Sequence, residues 1–123
     1  MENTFIYLDS CDTCQRILKT LNLPETIKRQ NVKSQPVTLE QLSFLAEQAG
    51  NYEALFNRRA QLYRARGLHK KQLTEIDYKE LLLDHYTFIK RPVFIFNNTA
   101  YVGNNKKTVA LAAASLVSWL NAL

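Results

Sequence analysis

Two cysteines stand three residues apart in Ser10-Cys11-Asp12-Thr13-Cys14, and the chain has no others. Such a pair can be half of a zinc site, a thiol–disulfide couple, or one reactive thiol beside a small core residue. A zinc site needs further ligands. The only histidines, His69 and His85, do not match the spacing of zinc-finger ligands, so no metal and no bound cofactor is expected. The motif follows a short apolar stretch and opens an amphipathic one. At such a junction the N–H groups of the first helical turn, and the positive end of the helix dipole, face Cys11 and favour its thiolate. Cys14, one turn on, is placed to attack a sulfur adduct on Cys11 and close an intramolecular disulfide. Cys11 is therefore expected as the exposed nucleophile and Cys14 as the more buried resolving thiol.

A second feature is Arg91-Pro92, directly before the strongest strand signal in the chain. Proline at a strand start is sterically ordinary. In a fold that brings this loop beside the cysteine motif, however, a cis proline would present Arg91 toward Cys11. Arginine is a permanent cation with a donor fork suited to oxyanions, and it would also help to keep a thiolate ionised.

These residues need elements to hold them. Thr4-Phe5-Ile6-Tyr7-Leu8 reads as a buried strand, broken at Asp9-Ser10. Cys14, Ile17, Leu18 and Leu21 then recur at helical spacing, with an end expected near 22–24. Residues 26–32 read as a weaker strand carrying Ile27 and Val32. Thr38-Leu39-Glu40-Gln41 is a capping box, with Val37 and Leu42 placed as a hydrophobic staple and Gly50 as the stop. Short helical pieces are expected around 53–56 and 60–66, and a longer helix from about 75 to 86 with Tyr78, Leu81, Leu82 and His85 on one face. Pro92-Val93-Phe94-Ile95-Phe96, the Asn97-Asn98 turn and residues 99–102 form a hairpin. A last helix from about Lys106 should bury Val109, Ala112, Ala113, Leu116 and Leu120.

The order β-α-β, helical pieces, β-β-α is that of an α/β thioredoxin-like fold. It predicts a mixed four-stranded sheet flanked by helices, with a right-handed crossover between the first two strands. One domain is expected over residues 1–123, with a helical insertion at about 38–90. The length of 123 residues and the 46% hydrophobic content suit such a domain without a disulfide framework. Wholly apolar runs are far shorter than the roughly 20 residues of a membrane span, and no signal-peptide pattern opens the chain, so a cytoplasmic protein is expected; a monomer is expected as well. The net charge is +5, and Arg58, Arg59, Arg64, Arg66, Lys70 and Lys71 fall in one stretch with no acidic residue. That stretch could attract an anion or be a solvated helical face.

The sequence resembles the thioredoxin-fold arsenate reductases linked to glutathione and glutaredoxin, and their relatives, the Spx-type transcription regulators and a group of uncharacterised thiol reductases. The resemblance spans almost the whole chain. It rests on Cys11-Asp12-Thr13-Cys14, on Leu55-Phe56-Asn57-Arg58-Arg59 with Tyr63 and Gly67-Leu68, and on Arg91-Pro92-Val93. Tyr101-Val102-Gly103-Asn104 is similar to the Spx-like and uncharacterised branches. The resemblance implies a sulfur nucleophile at Cys11 that attacks an oxyanion or a disulfide, with Arg59 and Arg91 holding the anion. Ser10, Asp12, Thr13, Asn57, Arg58 and Pro92 would line the substrate site. It also implies glutathione with glutaredoxin, or thioredoxin, as electron donor. The chain departs from the reductase pattern at three places: Asn57 stands at the first arginine position, Asn104 at the third, and Cys14 where serine is usual.

Two function classes follow. One is an enzyme, a thiol-dependent oxidoreductase acting on a small oxyanion, arsenate included, or on a thiol or disulfide. The other is a redox-sensing regulator that binds RNA polymerase through a Cys11–Cys14 switch. Direct DNA binding is not expected, because no base-reading motif is present.

Overall fold

The computed structural model describes residues 1–123. The backbone packs as two compact units: residues 1–35 with 91–123, and residues 36–90.

The first unit is built on a four-stranded sheet. Strands β1 (Thr4–Tyr7), β2 (Lys28–Asn31), β3 (Val93–Phe96) and β4 (Thr99–Val102) lie in the order β2-β1-β3-β4. The β1–β2 pair is parallel, while β1–β3 and β3–β4 are antiparallel, so the sheet is mixed as expected. Helix α1 (Asp12–Leu21) makes the crossover from β1 to β2. Helix α5 (Lys106–Asn121) closes the chain, its start capped by the Asn105 side chain, which accepts from the N–H groups of Lys107 and Thr108.

Alternation along the strands sorts the side chains. Phe5, Phe94 and Phe96 share one face and pack in a cluster with Ile17 of α1 and with Ala112 and Leu116 of α5. Thr4, Ile6, Val93 and Ile95 occupy the opposite face and are buried as well. Burial on both faces explains why β1 and β3 read as unbroken apolar runs. The Asn97-Asn98 turn carries positive φ at both residues (55° and 57°), the primed geometry that matches the twist of a hairpin.

The second unit is helical: α2 (Leu39–Ala49), α3 (Gln61–Ala65) and α4 (Glu75–Asp84), with 3₁₀ turns at Glu53–Leu55, Leu68–Lys70 and Tyr86–Phe88. The capping box at Thr38 is formed: Gln41 N–H donates to the Thr38 hydroxyl, and the Gln41 side chain accepts from Thr38 N–H. Thr74 and Asp77 form a second box, at the start of α4. At the centre, Phe56 stacks on Phe88 (centroids 5.2 Å apart) and meets Tyr63 and Tyr78 edge-on at 5.8 and 5.1 Å. Asn57 N–H donates to the Phe88 carbonyl and Lys90 N–H to the Leu55 carbonyl, around a bridge between Phe56 and Ile89.

Two expectations are corrected. Helix α4 ends at Asp84 rather than near residue 86: His85 turns extended (φ −148°), and its Nδ1 accepts from Thr87 N–H, starting the next 3₁₀ turn. An imidazole acceptor offered to the backbone thus outcompetes one more turn of helix. On α5, Leu120 is exposed and Trp119 packs on the core cluster instead. From Leu116 the core-facing stripe of α5 continues at i+3, Trp119, rather than at i+4, Leu120. No helix is long and apolar enough to cross a membrane.

Candidate active site

Strand β1 ends at Tyr7, and a tight turn delivers the chain into α1, with Cys11 N–H donating to the Leu8 carbonyl at 3.0 Å. Cys11 takes the N-cap position with extended backbone (φ −91°, ψ 111°). Its carbonyl accepts from Gln15 N–H at 3.1 Å, the first bond of the helix. Ser10 and Asp12 are exposed, Thr13 is half-buried, and Asp12 places a carboxylate in the first turn. Both cysteines are reduced; Cys11 is partly exposed, and Cys14 is wholly buried on the inner side of α1.

The two thiols are polarised in opposite directions. Burial works to raise the Cys11 thiol. The Cys14 backbone N–H and thiol, the Arg91 charge and the Thr13 N–H together outweigh it, so Cys11 is held below the ordinary thiol value. Cys14 is pushed up to about 12, first by burial and then by its hydrogen bond with Cys11 and by the Cys11 charge. A backbone group of Leu8 and the charge of Arg91 oppose that rise without overcoming it. Nucleophile strength follows thiolate content, so only Cys11 is poised to attack.

Arg91 is half-buried and acts electrostatically on both sulfurs. The Arg91–Pro92 bond is cis, Pro92 is buried, and the Pro92 carbonyl accepts from Gly103 N–H at 2.9 Å. The structure thus brings Cys11, Cys14 and Arg91 together at the end of β1, with Thr13 in the same turn.

Asn57, Arg58 and Arg59 belong to the second unit. The Asn57 side-chain carbonyl accepts from Arg59 N–H at 3.0 Å, shaping the turn into α3. Arg58 is engaged locally: its guanidinium contacts the Glu53 carboxylate at 2.6 Å and the Tyr78 hydroxyl at 3.0 Å. Glu53 raises its affinity for the proton further, partly offset by burial. Arg59 is exposed and makes no ion pair, which leaves its charge available. Of the remaining basic stretch, Arg66 pairs with Asp84 at 2.7 Å, while Arg64, Lys70 and Lys71 are exposed.

Two side chains at the cysteine turn were absent from the sequence candidates. The Gln15 amide donates to the Asp9 carbonyl at 3.0 Å, and the Asn31 side-chain carbonyl, at the end of β2, lies 3.4 Å from Asp9 N–H. An amide on a helix surface, as at Gln15, or at a strand end, as at Asn31, carries no periodicity or motif signal, so only the folded chain reveals either contact.

A model of the ArsC family matches residues 7–112. The chain belongs to the ArsC family. Among solved structures, an ArsC family related protein from Bacteroides fragilis is 22% identical with a TM-score of 0.76, covering 91% of this chain and 98% of that one. An arsenate reductase from Vibrio cholerae is 22% identical with a TM-score of 0.71, covering 91% and 98%. A possible arsenate reductase from Streptococcus mutans is 27% identical with a TM-score of 0.61, covering 80% and 86%. A search of curated proteins found no match. This ArsC chain accordingly has the thioredoxin-like fold expected from its element order, a mixed four-stranded sheet flanked by helices.

Proposed function

We propose that this ArsC-family chain is a thiol-dependent oxidoreductase of the cytoplasm, with Cys11 as nucleophile and Cys14 as resolving thiol. The observation that carries the reading is the opposite polarisation of two adjacent thiols: one partly exposed and tuned toward thiolate, the other wholly buried and protonated.

With a disulfide substrate, the Cys11 thiolate bonds to one sulfur and the other leaves as a thiolate. Cys14 then attacks the Cys11 sulfur, its proton passing to the departing thiol, and a Cys11–Cys14 disulfide forms as the substrate gains two electrons. With an oxyanion such as arsenate, the Cys11 sulfur bonds to the central atom and one oxygen leaves as water. Attack of Cys14 on that sulfur expels the central atom reduced by two electrons. A glutathione–glutaredoxin system, or thioredoxin, returns the two electrons to the disulfide.

Arg91 stabilises the attacking thiolate and the bound anion with one charge, and Arg59 supplies a second cation whose guanidinium is not spent on an ion pair. Ser10, Asp12, Thr13, Asn57, Arg58 and Pro92 form the surrounding substrate contacts in this reading, with Arg58 contributing least because Glu53 neutralises it.

The test is consumption of arsenate, other oxyanions and small disulfides in the presence of glutathione, glutaredoxin and a reducing system. Wild type should turn over at least one of them, and Cys11→Ser should be inactive. Equal rates for the two proteins on every substrate sink the proposal. The second cysteine also suits a redox-sensing regulator, for which the expected result is retention of RNA polymerase subunits that depends on the Cys11–Cys14 disulfide.

A further inference from the structure

We infer that Gln15 is a positioning residue for the Cys11 thiolate, an inference that rests on the reading of Cys11 as nucleophile. Three observations converge on this side chain. Its backbone N–H donates to the Cys11 carbonyl at 3.1 Å. Its side-chain amide reaches back six residues to the Asp9 carbonyl at 3.0 Å. Between those two carbonyls lie only Ser10 and Cys11, whose N–H closes the turn on Leu8. One residue therefore holds the backbone on both sides of the nucleophile.

The consequence is electrostatic as well as mechanical. The Cys11 thiolate is favoured by groups of fixed direction, the N–H groups of Thr13 and Cys14, and by Arg91. N–H groups aimed at a sulfur act only while the sulfur stays in front of them, and their effect weakens steeply with misalignment. Without a tether at Asp9, the turn that carries Cys11 can rotate away from the helix start. The Asn31 side-chain carbonyl accepts from the N–H of the same residue, Asp9, but at 3.4 Å it is the weaker restraint. An uncharged donor suits this role, because it orients the turn without adding a charge of its own beside the thiolate.

The facing charges are few. Arg91 acts on Cys11 from the loop before β3, while Asp9 and Asp12 belong to the turn and to the first turn of α1. None of them changes when Gln15 is replaced by an uncharged residue, so a shift in Cys11 ionisation reports orientation and not a lost charge.

The experiment is the pH profile of iodoacetamide alkylation at Cys11, measured in a Cys14→Ser background with and without Gln15→Met. Methionine keeps the length and apolar stem of the side chain and removes the donor. The expected result is a profile displaced to higher pH and a reaction about threefold or more slower at neutral pH, with the thermal midpoint little changed. Gln61→Met, an exposed glutamine in the other unit, should leave the profile in place. Should Gln15→Met unfold, Gln15→Ala, also uncharged, without a donor and favourable in a helix, gives the same reading through the thiolate absorbance near 240 nm. A lowered wild-type profile that neither variant moves overturns the inference and leaves the nucleophile reading intact. A wild-type profile at the ordinary thiol value overturns both.

Discussion

Cys14 lies wholly buried one helical turn from a partly exposed Cys11, and each thiol shifts the ionisation of the other. Cys14 offers its N–H and its thiol hydrogen to the Cys11 sulfur, which lowers the first thiol, and the resulting negative charge raises the second. The relationship imposes an order. While Cys11 is a thiolate, its charge adds to the burial that holds the proton on Cys14. Once Cys11 is consumed in an adduct its charge is gone, and the lowering influence of Arg91 on Cys14 remains. In the proposed reaction, adduct formation thus removes one of the influences that hold the proton on Cys14, while burial, the largest of them, remains.

The first prediction concerns reactivity. Iodoacetamide at neutral pH should modify Cys11 well ahead of Cys14, by about tenfold or more, because the thiolate is the reacting form and Cys14 is both buried and protonated. Fragmentation of the modified peptide locates the label. Equal labelling of both thiols in the folded protein contradicts the polarisation.

Stability at alkaline pH gives the second. Burial pushes the folded Cys14 thiol up to about 12, whereas an unfolded thiol lies at about 8.5. Between those values the unfolded chain has lost a proton that the folded chain keeps. Stability is therefore fully present below pH ~8.5 and is lost as pH rises toward the folded value, by an amount on the order of a few kcal/mol. Cys11 works in the opposite sense: its lowered value contributes stability above the ordinary thiol value, lost as pH falls through the folded one. Of the two thiols, only Cys14 costs stability as pH rises through the alkaline window. Urea unfolding of wild type and Cys14→Ala under reductant, from pH 8 upward, should show a steeper decline for wild type. Parallel curves count against a protonated Cys14.

Arg58 and Arg59 are neighbours whose guanidinium groups are differently engaged, and this gives the third prediction. Arg58→Ala breaks the contact with Glu53 and the hydrogen bond to Tyr78. An exposed ion pair is worth about 0.2–1 kcal/mol and a hydrogen bond about 1, so a loss of about 1–2 kcal/mol is expected in urea unfolding. Arg59→Ala should cost less than about 0.5 kcal/mol, since its guanidinium has no ion pair. Turnover should respond in reverse, with Arg59→Ala lowering kcat/KM about tenfold or more and Arg58→Ala changing it little. Activity lost only with Arg58→Ala reverses the assignment.

How much of this was legible in the sequence depended on the range of each signal. Local signals were readable: the period of α1, the box at Thr38 and the Asn97-Asn98 turn all lie within a few residues, and each appears where expected. Strand pairing was readable too, because β1 and β3 are buried on both faces and leave little choice of place in the sheet. The end of α4 was not, since it turns on one imidazole accepting a backbone N–H. The engagement of Arg58 by Glu53 and Tyr78 was equally hidden. A basic residue five positions from one partner and twenty from the other looks no different in sequence from Arg59. Charge is legible; whether it is already neutralised is not.

The last prediction tests the hairpin that carries β3. Both Asn97 and Asn98 sit at positive φ, 55° and 57°, in a region that costs an ordinary L-residue about 1–2 kcal/mol and that asparagine and glycine tolerate best. A β-branched side chain is the poorest fit there, so Asn97→Val and Asn98→Val should each lower unfolding stability by about 1–2 kcal/mol. Asn98→Gly creates the Asn-Gly pair most favoured in such turns and should leave stability within about 0.5 kcal/mol of wild type. It gives up the Asn98 side-chain contact with the Met1 amino group at 3.1 Å, which is solvent-exposed and contributes little. The effect should reach the site only weakly. Asn97-Asn98 lies at the far end of β3 from Pro92, and Val93 at the near end pairs with Val102 independently of the turn. Urea unfolding together with the Cys11 alkylation rate separates the two effects: the valine variants should lose stability while the folded protein keeps wild-type reactivity. Valine tolerated at both positions without loss means the turn is not left-handed, and a fall in Cys11 reactivity means that β3 transmits the turn to the thiolate.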